Sequence, residues 1–216
     1  MPLLIDGPAD APASLILAHG AGAPMDSPFM AAIATGLAER GWRVLRFEFP
    51  YMARQRQTGR KAAPDSLAKL QGCFRTVVAE SEGQGPWIIG GKSLGGRVAS
   101  LLVDDLAPQG VRGCLCLGYP FHPPGRPSQL RTDHLAALHS PALILQGERD
   151  TFGRREEVAT YRLSPQVRVE WIPNGDHSFK PTRASGRNER DNWDEAIRLA
   201  DGFFQDLLAG AQRPYG

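Results

Sequence analysis

Short apolar, β-branched runs recur along the chain: SLILA (14–18), RVLRFEF (43–49), WIIGG (87–91), VRGCLCLG (111–118), ALILQG (142–147) and VRVEWI (167–172). Several are apolar at nearly every position rather than at alternate ones, which is the pattern of strands covered on both faces. The stretches between them follow a helical period. SPFMAAIATGLAERG places Ser27 as N-cap, Pro28 at the first helical position and Gly41 at the close, with Phe29, Ile33, Ala34 and Leu37 on one stripe. Leu67, Leu70, Phe74, Val77 and Val78 repeat at the same spacing, and so do Ile197, Ala200, Phe204 and Leu207 in a last helix from about Trp193 to Leu208. A further helix is predicted directly after Ser93, with Val98, Leu101 and Leu102 on one face, and shorter ones near 130–139 and 154–162. Strands alternating with helices imply βαβ units. The predicted fold is therefore α/β: a doubly wound, mostly parallel sheet of about six or seven strands with helices on both faces. The 216 residues are read as a single domain spanning 1–216.

Composition changes this picture little. Hydrophobic content is 42%, charged content 22% and net charge +2. These values give no reason to expect a nucleic-acid or membrane partner. No apolar run approaches the roughly 20 residues of a membrane span, and the N-terminus lacks the basic and apolar regions of a signal peptide. The three cysteines are odd in number and form no C-x-x-C. Strand alternation puts Cys114 and Cys116 on one face, as buried thiols, and with Cys73 they suggest a reducing compartment. A cytoplasmic protein is expected.

In doubly wound sheets, functional groups gather at the carboxyl ends of the strands. Ser93, Asp150 and His177 each follow a predicted strand, in that order along the chain. A serine hydroxyl becomes a useful nucleophile when a neutral histidine takes its proton and an acid orients the ring. Gly91-Lys92-Ser93-Leu94-Gly95 fits G-x-S-x-G between a strand and a helix, the context that motif needs. Its glycines clear space for a sharp turn, and the Leu94 amide at the helix start is placed to face an oxyanion. Such chemistry requires no metal and no organic cofactor.

The remaining candidates divide as follows. His122 is the rival base or a pocket residue. His134 and His139 fall in a predicted surface helix, and His19 is structural. Asp176 adjoins His177 too closely in sequence to orient its far ring nitrogen, and Glu148 should point elsewhere. Lys92 is expected to be solvated, with substrate contact as the alternative. Tyr51, Met52, Tyr119, Phe121, Phe152 and Phe179 surround the predicted site and suggest an apolar acyl or alcohol pocket. RQRQTGRK (54–61) places Arg54, Arg56, Arg60 and Lys61 on a predicted loop, either simply solvated or a rim that attracts a carboxylate, a phosphate or an acidic partner.

From about residue 13 to 210 the chain resembles the α/β-hydrolases. GKSLG matches the nucleophile elbow, LILQGERD the strand and turn bearing the acid, NGDHSF the histidine loop and LILAHGAGA the oxyanion loop. More narrowly, HGAGAPMDSPFM, FEFPYM, GGKSLGGRVAS and GYPFHPPG are similar to the small α/β-hydrolase-like group related to testis-expressed and non-specific-lethal-complex subunits, some of which act inside chromatin complexes. The resemblance implies a second oxyanion amide from residues 20–23, Ala21 first, with Gly22 and Ala23 as alternatives. It implies a serine hydrolase acting on a small-molecule ester or thioester through an acyl-enzyme, a carboxylesterase foremost, with thioesterase and peptidase as alternatives. A non-catalytic interaction module is the alternative outside enzymes. The chain also departs from the superfamily pattern. Only 13 residues precede SLILA, room for at most one short strand where the superfamily has two. Residues 119–141 leave room for a loop and one short helix, so an open site without a cap domain is expected.

Overall fold

The computed structural model describes residues 2–81 and 86–211. Its strands are β1 (Leu3–Asp6), β2 (Ser14–Ala18), β3 (Arg43–Phe47), β4 (Trp87–Lys92), β5 (Val111–Leu117), β6 (Ala142–Gly147) and β7 (Val167–Ile172). Its helices are α1 (Pro28–Ala38), α2 (Pro50–Thr58), α3 (Leu67–Glu80), α4 (Leu94–Ser100), α5 (Val103–Leu106), α6 (Asp133–Ala136), α7 (Arg155–Val158) and α8 (Glu189–Ala211). The strands form one seven-stranded sheet in the order β1-β3-β2-β4-β5-β6-β7. Every pairing is parallel except that of β1, which runs antiparallel to β3 with Leu3 opposite Phe47. The short N-terminal segment thus supplies one edge strand.

The continuous apolar runs are explained by the layers. Successive side chains of a strand point to opposite faces, and both faces here are covered. On one, Ile16, Leu45, Phe47, Ile89, Cys114, Cys116 and Ile144 meet Phe74 and Val77 of α3 and Val98 and Ala99 of α4. On the other, Leu15, Leu17, Val44, Ile88, Leu115, Leu143 and Leu145 meet Ile33 and Leu37 of α1 and Ile197, Ala200 and Phe204 of α8. Each large apolar side chain taken from water contributes about 1.5–3 kcal/mol. The two buried thiols lie on the same face with their sulfurs 3.8 Å apart, unbridged.

Two local expectations are corrected. Helix α1 begins with Ser27 at its N-cap and Pro28 at its first position, but it ends at Ala38. Gly41 sits beyond it at φ +88°, in the turn that leads into β3. The basic stretch after β3 is not a free loop. Pro50 starts α2 and Gly59, at φ +66°, ends it, so Arg54 and Arg56 are helical. Arg54 pairs with Asp65 at 2.8 Å, and Arg56 with Asp26 at 2.8 Å and with the buried Glu48. Two of the four cations already have counter-ions, and only Arg60 and Lys61 follow the helix as exposed charges. Between β5 and β6 the only helix among the described residues is the four-residue α6, so no cap domain covers the strand ends.

The core and the surface should respond differently to truncation. Phe74 is fully buried, edge-on to Phe47 at 5.0 Å. Phe74→Ala should destabilise by about 3–5 kcal/mol in urea unfolding. Arg75→Ala, which removes an exposed pair with Asp105, should cost less than about 1 kcal/mol.

Candidate active site

A single residue, Ser93, joins β4 to α4, at φ 49° and ψ −110°. A non-glycine residue held in such backbone geometry is strained by about 1–3 kcal/mol and persists only where its surroundings fix it. Here they do. The Ser93 amide donates to the Leu117 carbonyl at 3.0 Å, extending the β4–β5 ladder, and its carbonyl accepts from the Arg97 amide at 3.0 Å. The turn needs glycine on both sides. A Cβ on Gly91 would lie 2.5 Å from the Gly95 carbonyl carbon, and one on Gly95 would lie 2.5 Å from the Ala18 oxygen. These are backbone contacts that no side-chain adjustment relieves.

The ends of β6 and β7 bring the other two groups to this turn. His177 Nε2 lies 2.8 Å from Ser93 Oγ, and His177 Nδ1 lies 2.7 Å from Asp150 Oδ2. The carboxylate only accepts, so Nδ1 carries the proton and donates it. Nε2 is then the acceptor for the serine O–H. Asp150 is fully buried. Its Oδ2 also accepts from Gln146 Nε2 at 2.9 Å, and its Oδ1 accepts from the Phe152 amide at 2.9 Å. Phe152 in turn stacks on the His177 ring, with centroids 4.2 Å apart. Burial lowers the His177 pKa from its ordinary value and the nearby Lys92 charge adds to this, while the Asp150 hydrogen bond opposes it. The ring is therefore neutral at neutral pH.

The histidine loop is held by groups outside this relay. Asp176 Oδ1 accepts from the Ser178 and Lys180 amides at 2.8 and 3.0 Å, so it shapes the turn and does not orient the ring. Glu148 accepts from the Asn174 amide at 2.8 Å. Buried Asn192 of α8 donates to the carbonyls of Pro173 and Phe179 at 3.0 and 2.6 Å.

The loop after β2 is fixed just as closely. His19 is fully buried. Its Nε2 accepts from the Phe49 amide at 3.1 Å, so Nδ1 carries the proton and donates to the Gly20 carbonyl at 2.6 Å. Burial depresses its pKa and keeps it neutral. The Tyr51 hydroxyl lies 3.2 Å from both the Gly20 and Ala21 carbonyls, so its one proton is shared between them.

A cavity of about 310 Å³ opens beside Ser93 and His177. Residues 20–23 form one wall, Ser27, Phe29 and Met30 at the start of α1 another, and Lys92, Phe152 and Ser178 complete it. Of the aromatic and apolar residues expected around the site, Phe152 alone reaches this cavity. Tyr51, Tyr119, Phe121 and Phe179 are fully buried and Met52 nearly so. Tyr51 is turned onto the carbonyls of the β2 loop. Tyr119 and Phe121 pack against each other at 4.9 Å and Phe179 against Phe29 at 5.4 Å, and Met52 joins the core under α2. Tyr51, Met52, Tyr119 and Phe121 belong to the core on one face of the sheet and Phe179 to that on the other. His122 is also buried, with Nδ1 against the Pro123 carbonyl at 2.9 Å and Nε2 facing Glu157 at 3.5 Å, and it does not line the cavity.

Lys92 is not solvated. It is 8% exposed and lines the cavity. His134, expected on a surface helix, is half-buried with Nε2 2.9 Å from Ser100 Oγ, whereas His139 is exposed but lies beyond the end of α6 and not in a helix. This second Ser–His contact differs from the first. Ser100 is the last residue of α4 at 1% exposure, its hydroxyl donates to the Arg97 carbonyl at 2.9 Å, and it does not line the cavity. Among the described residues, no group of three or more His, Cys, Asp or Glu is placed to hold a metal ion, and no helix is long and apolar enough to cross a membrane.

Sequence reasoning missed Gln146, Lys92 as a buried cation, and the α1 wall. Gln146 had a signal: it is the one polar residue in ALILQG, a strand buried at every position.

The chain is similar to known hydrolases over nearly its whole length. Residues 11–205 match the family described as an alpha/beta hydrolase domain. Among solved structures, Est1E from Butyrivibrio proteoclasticus superposes with a TM-score of 0.69 at 16% identity, covering 96% of this chain and 94% of that one. A dienelactone hydrolase from Anabaena variabilis gives 0.67 at 20% identity, covering 94% and 90%. XC6422 from Xanthomonas campestris, described as an a/b serine hydrolase without lid, gives 0.62 at 20% identity, covering 91% and 88%. With a family match that takes in β2 to β7, the elbow and the histidine loop alike, this chain belongs to the alpha/beta hydrolases.

Proposed function

We propose that the protein is a serine hydrolase that cleaves a carboxylic ester or thioester through an acyl-enzyme, with Ser93 as nucleophile, His177 as general base and acid, and Asp150 as the group that orients the imidazole. The observation that carries this reading is the unbroken hydrogen-bond chain from the Asp150 carboxylate through both ring nitrogens of His177 to the Ser93 hydroxyl, at 2.7 and 2.8 Å. Ser93 Oγ attacks the carbonyl carbon as its proton passes to His177 Nε2. The imidazolium, stabilised by Asp150, returns that proton to the departing alkoxide or thiolate. Water, deprotonated by the same nitrogen, then cleaves the acyl-serine and regenerates the hydroxyl.

The oxyanion is assigned to the Leu94 and Ala21 amides. Leu94 opens α4, where N–H groups lack intrahelical acceptors. In a trans peptide the C=O and the next N–H point in opposite directions. With His19 and Tyr51 holding the Gly20 carbonyl, the Ala21 amide is directed away from that buried pair, and Ala21 lines the cavity. Fixed donors of this kind are worth about 3 kcal/mol each at an oxyanion.

A carboxylesterase acting on a small or medium acyl ester suits the cavity, which lies at the lower end of the roughly 300–1,000 Å³ of small-molecule sites. The absence of a cap among the described residues suits a substrate that enters from open solvent. Thioester and peptide cleavage use the same groups. The narrower likeness to complex subunits supports a second reading, an interaction module that retains the fold. A module has no use for a strained serine aligned with a histidine and a buried acid, so the hydrolase reading is preferred.

A fluorophosphonate probe should label the wild type and leave Ser93→Ala unlabelled; an unlabelled wild type would favour the module. Asp150→Asn, which keeps the shape but loses the charge that fixes the tautomer, should lower kcat roughly 10⁴-fold. The base works only when neutral, so activity is present above the His177 pKa and lost as pH falls through it. Since burial lowers that pKa, the acid limb of kcat/KM should have its midpoint below about 6.5. Tyr51→Phe should lower kcat roughly tenfold with little change in KM, because it loosens the loop that presents Ala21 while removing nothing that lines the cavity.

A further inference from the structure

Lys92 is a buried charge that the proposed reaction does not use. It is the last residue of β4, next to Ser93, and 8% exposed. Its Nζ donates to the His177 carbonyl at 2.5 Å and lies 5.6 Å from the centre of the Phe29 ring. An ammonium has three N–H donors, and this is its one hydrogen bond among the described residues. No described carboxylate comes within ion-pair distance of it. The two acids whose charges reach it, Asp150 and Asp176, are already committed to other donors. Burial pushes the Lys92 pKa down to about 8, which leaves the side chain mostly charged at neutral pH. A buried cation without a counter-ion is costly unless something anionic joins it.

The surroundings favour that partner. Lys92 lines the cavity that opens onto Ser93, and no acidic residue is among those lining it. Ser27, Phe29 and Met30 bring the first turn of the eleven-residue α1 to the same cavity, and the Ser27 side chain does not cap that turn. The positive end of the helix therefore faces the same space. The wall is apolar at Phe29 and Met30, so no side chain there competes with Lys92 for an anion or neutralises it.

We propose that Lys92 is a specificity residue that selects esters carrying a free carboxylate, such as half-esters of short dicarboxylic acids, by receiving that carboxylate in the cavity beside Ser93. The inference rests on the hydrolase reading and names its substrate class. The carboxylate is held and not transformed, and the bond broken remains the ester C–O bond. The competing role for Lys92 is to pin the His177 loop through the carbonyl contact. That role affects every ester alike, whereas anion selection separates charged from neutral ones.

The test compares para-nitrophenyl hydrogen adipate with para-nitrophenyl methyl adipate on the full chain. Wild type should favour the charged ester in kcat/KM by about tenfold or more. Lys92→Met should abolish the preference and Lys92→Arg should retain part of it. Equal rates for the two esters in wild type, or a preference unchanged in Lys92→Met, would overturn the proposal. If Lys92→Met does not fold by circular dichroism, wild type and Lys92→Arg decide the matter between them. If wild type neither takes the fluorophosphonate nor turns over either ester, the hydrolase reading is what has failed. Calorimetric binding of monomethyl adipate then tests the anion site alone. Binding lost on comparing wild type with Lys92→Met upholds the site, and no binding to wild type overturns it.

Discussion

The site depends on one close approach, that of the first turn of α4 to the carboxyl end of β2. Gly95 lies so near the Ala18 and His19 carbonyls that a Cβ there would fall 2.5 and 2.6 Å from their oxygens. This contact, with the Leu117 ladder bond, leaves Ser93 its positive φ. The strain is small beside the burial that enforces it: β2 and β4 are buried at every residue, between two apolar layers. Relaxing the serine would mean moving a helix off a central strand. The hydroxyl is thus held by the sheet and not by its own preferences.

Once that position is fixed, the electrostatics follow from what each neighbour can accept or donate. Asp150 is buried but accepts from Gln146, Phe152 and His177, so its charge is satisfied on every side. His177 is kept neutral by burial yet sits against a carboxylate ready to stabilise its charged form. Lys92 leans the same way, favouring the neutral ring, while tying the backbone of the histidine to β4. The loop bearing the histidine is braced from three sides, by Glu148 after β6, by Asn192 of α8 and by its own Asp176.

Much of this was legible in the sequence, for physical reasons. Continuous apolar runs announce strands covered on both faces, and Ser93, Asp150 and His177 each follow such a run, at the carboxyl ends of β4, β6 and β7. The glycines at 91 and 95 were readable because only a backbone needing close approach calls for them on both sides of a serine. What escaped was direction. Tyr51, Tyr119, Phe121 and Phe179 follow the carboxyl ends of β3, β5 and β7 by two to seven residues, and at that distance a side chain points as readily into the core as into a cavity. The α2 run reads as a loop because it is mostly polar; Pro50 starts the helix, Gly59 ends it, and buried Tyr51 and Met52 with the Arg56–Glu48 pair hold it in place. Lys92 reads as solvated because lysines usually are, and nothing local in the sequence reveals that the chain closes over it.

The central claim is that Ser93 carries the acyl group during turnover. Rapid acid quench of the reaction with para-nitrophenyl acetate, followed by peptide mass mapping, tests it directly. The account predicts a transient acetyl group on Ser93. Turnover with no acyl group on Ser93 at any quench time, or with the group on another side chain, would contradict it.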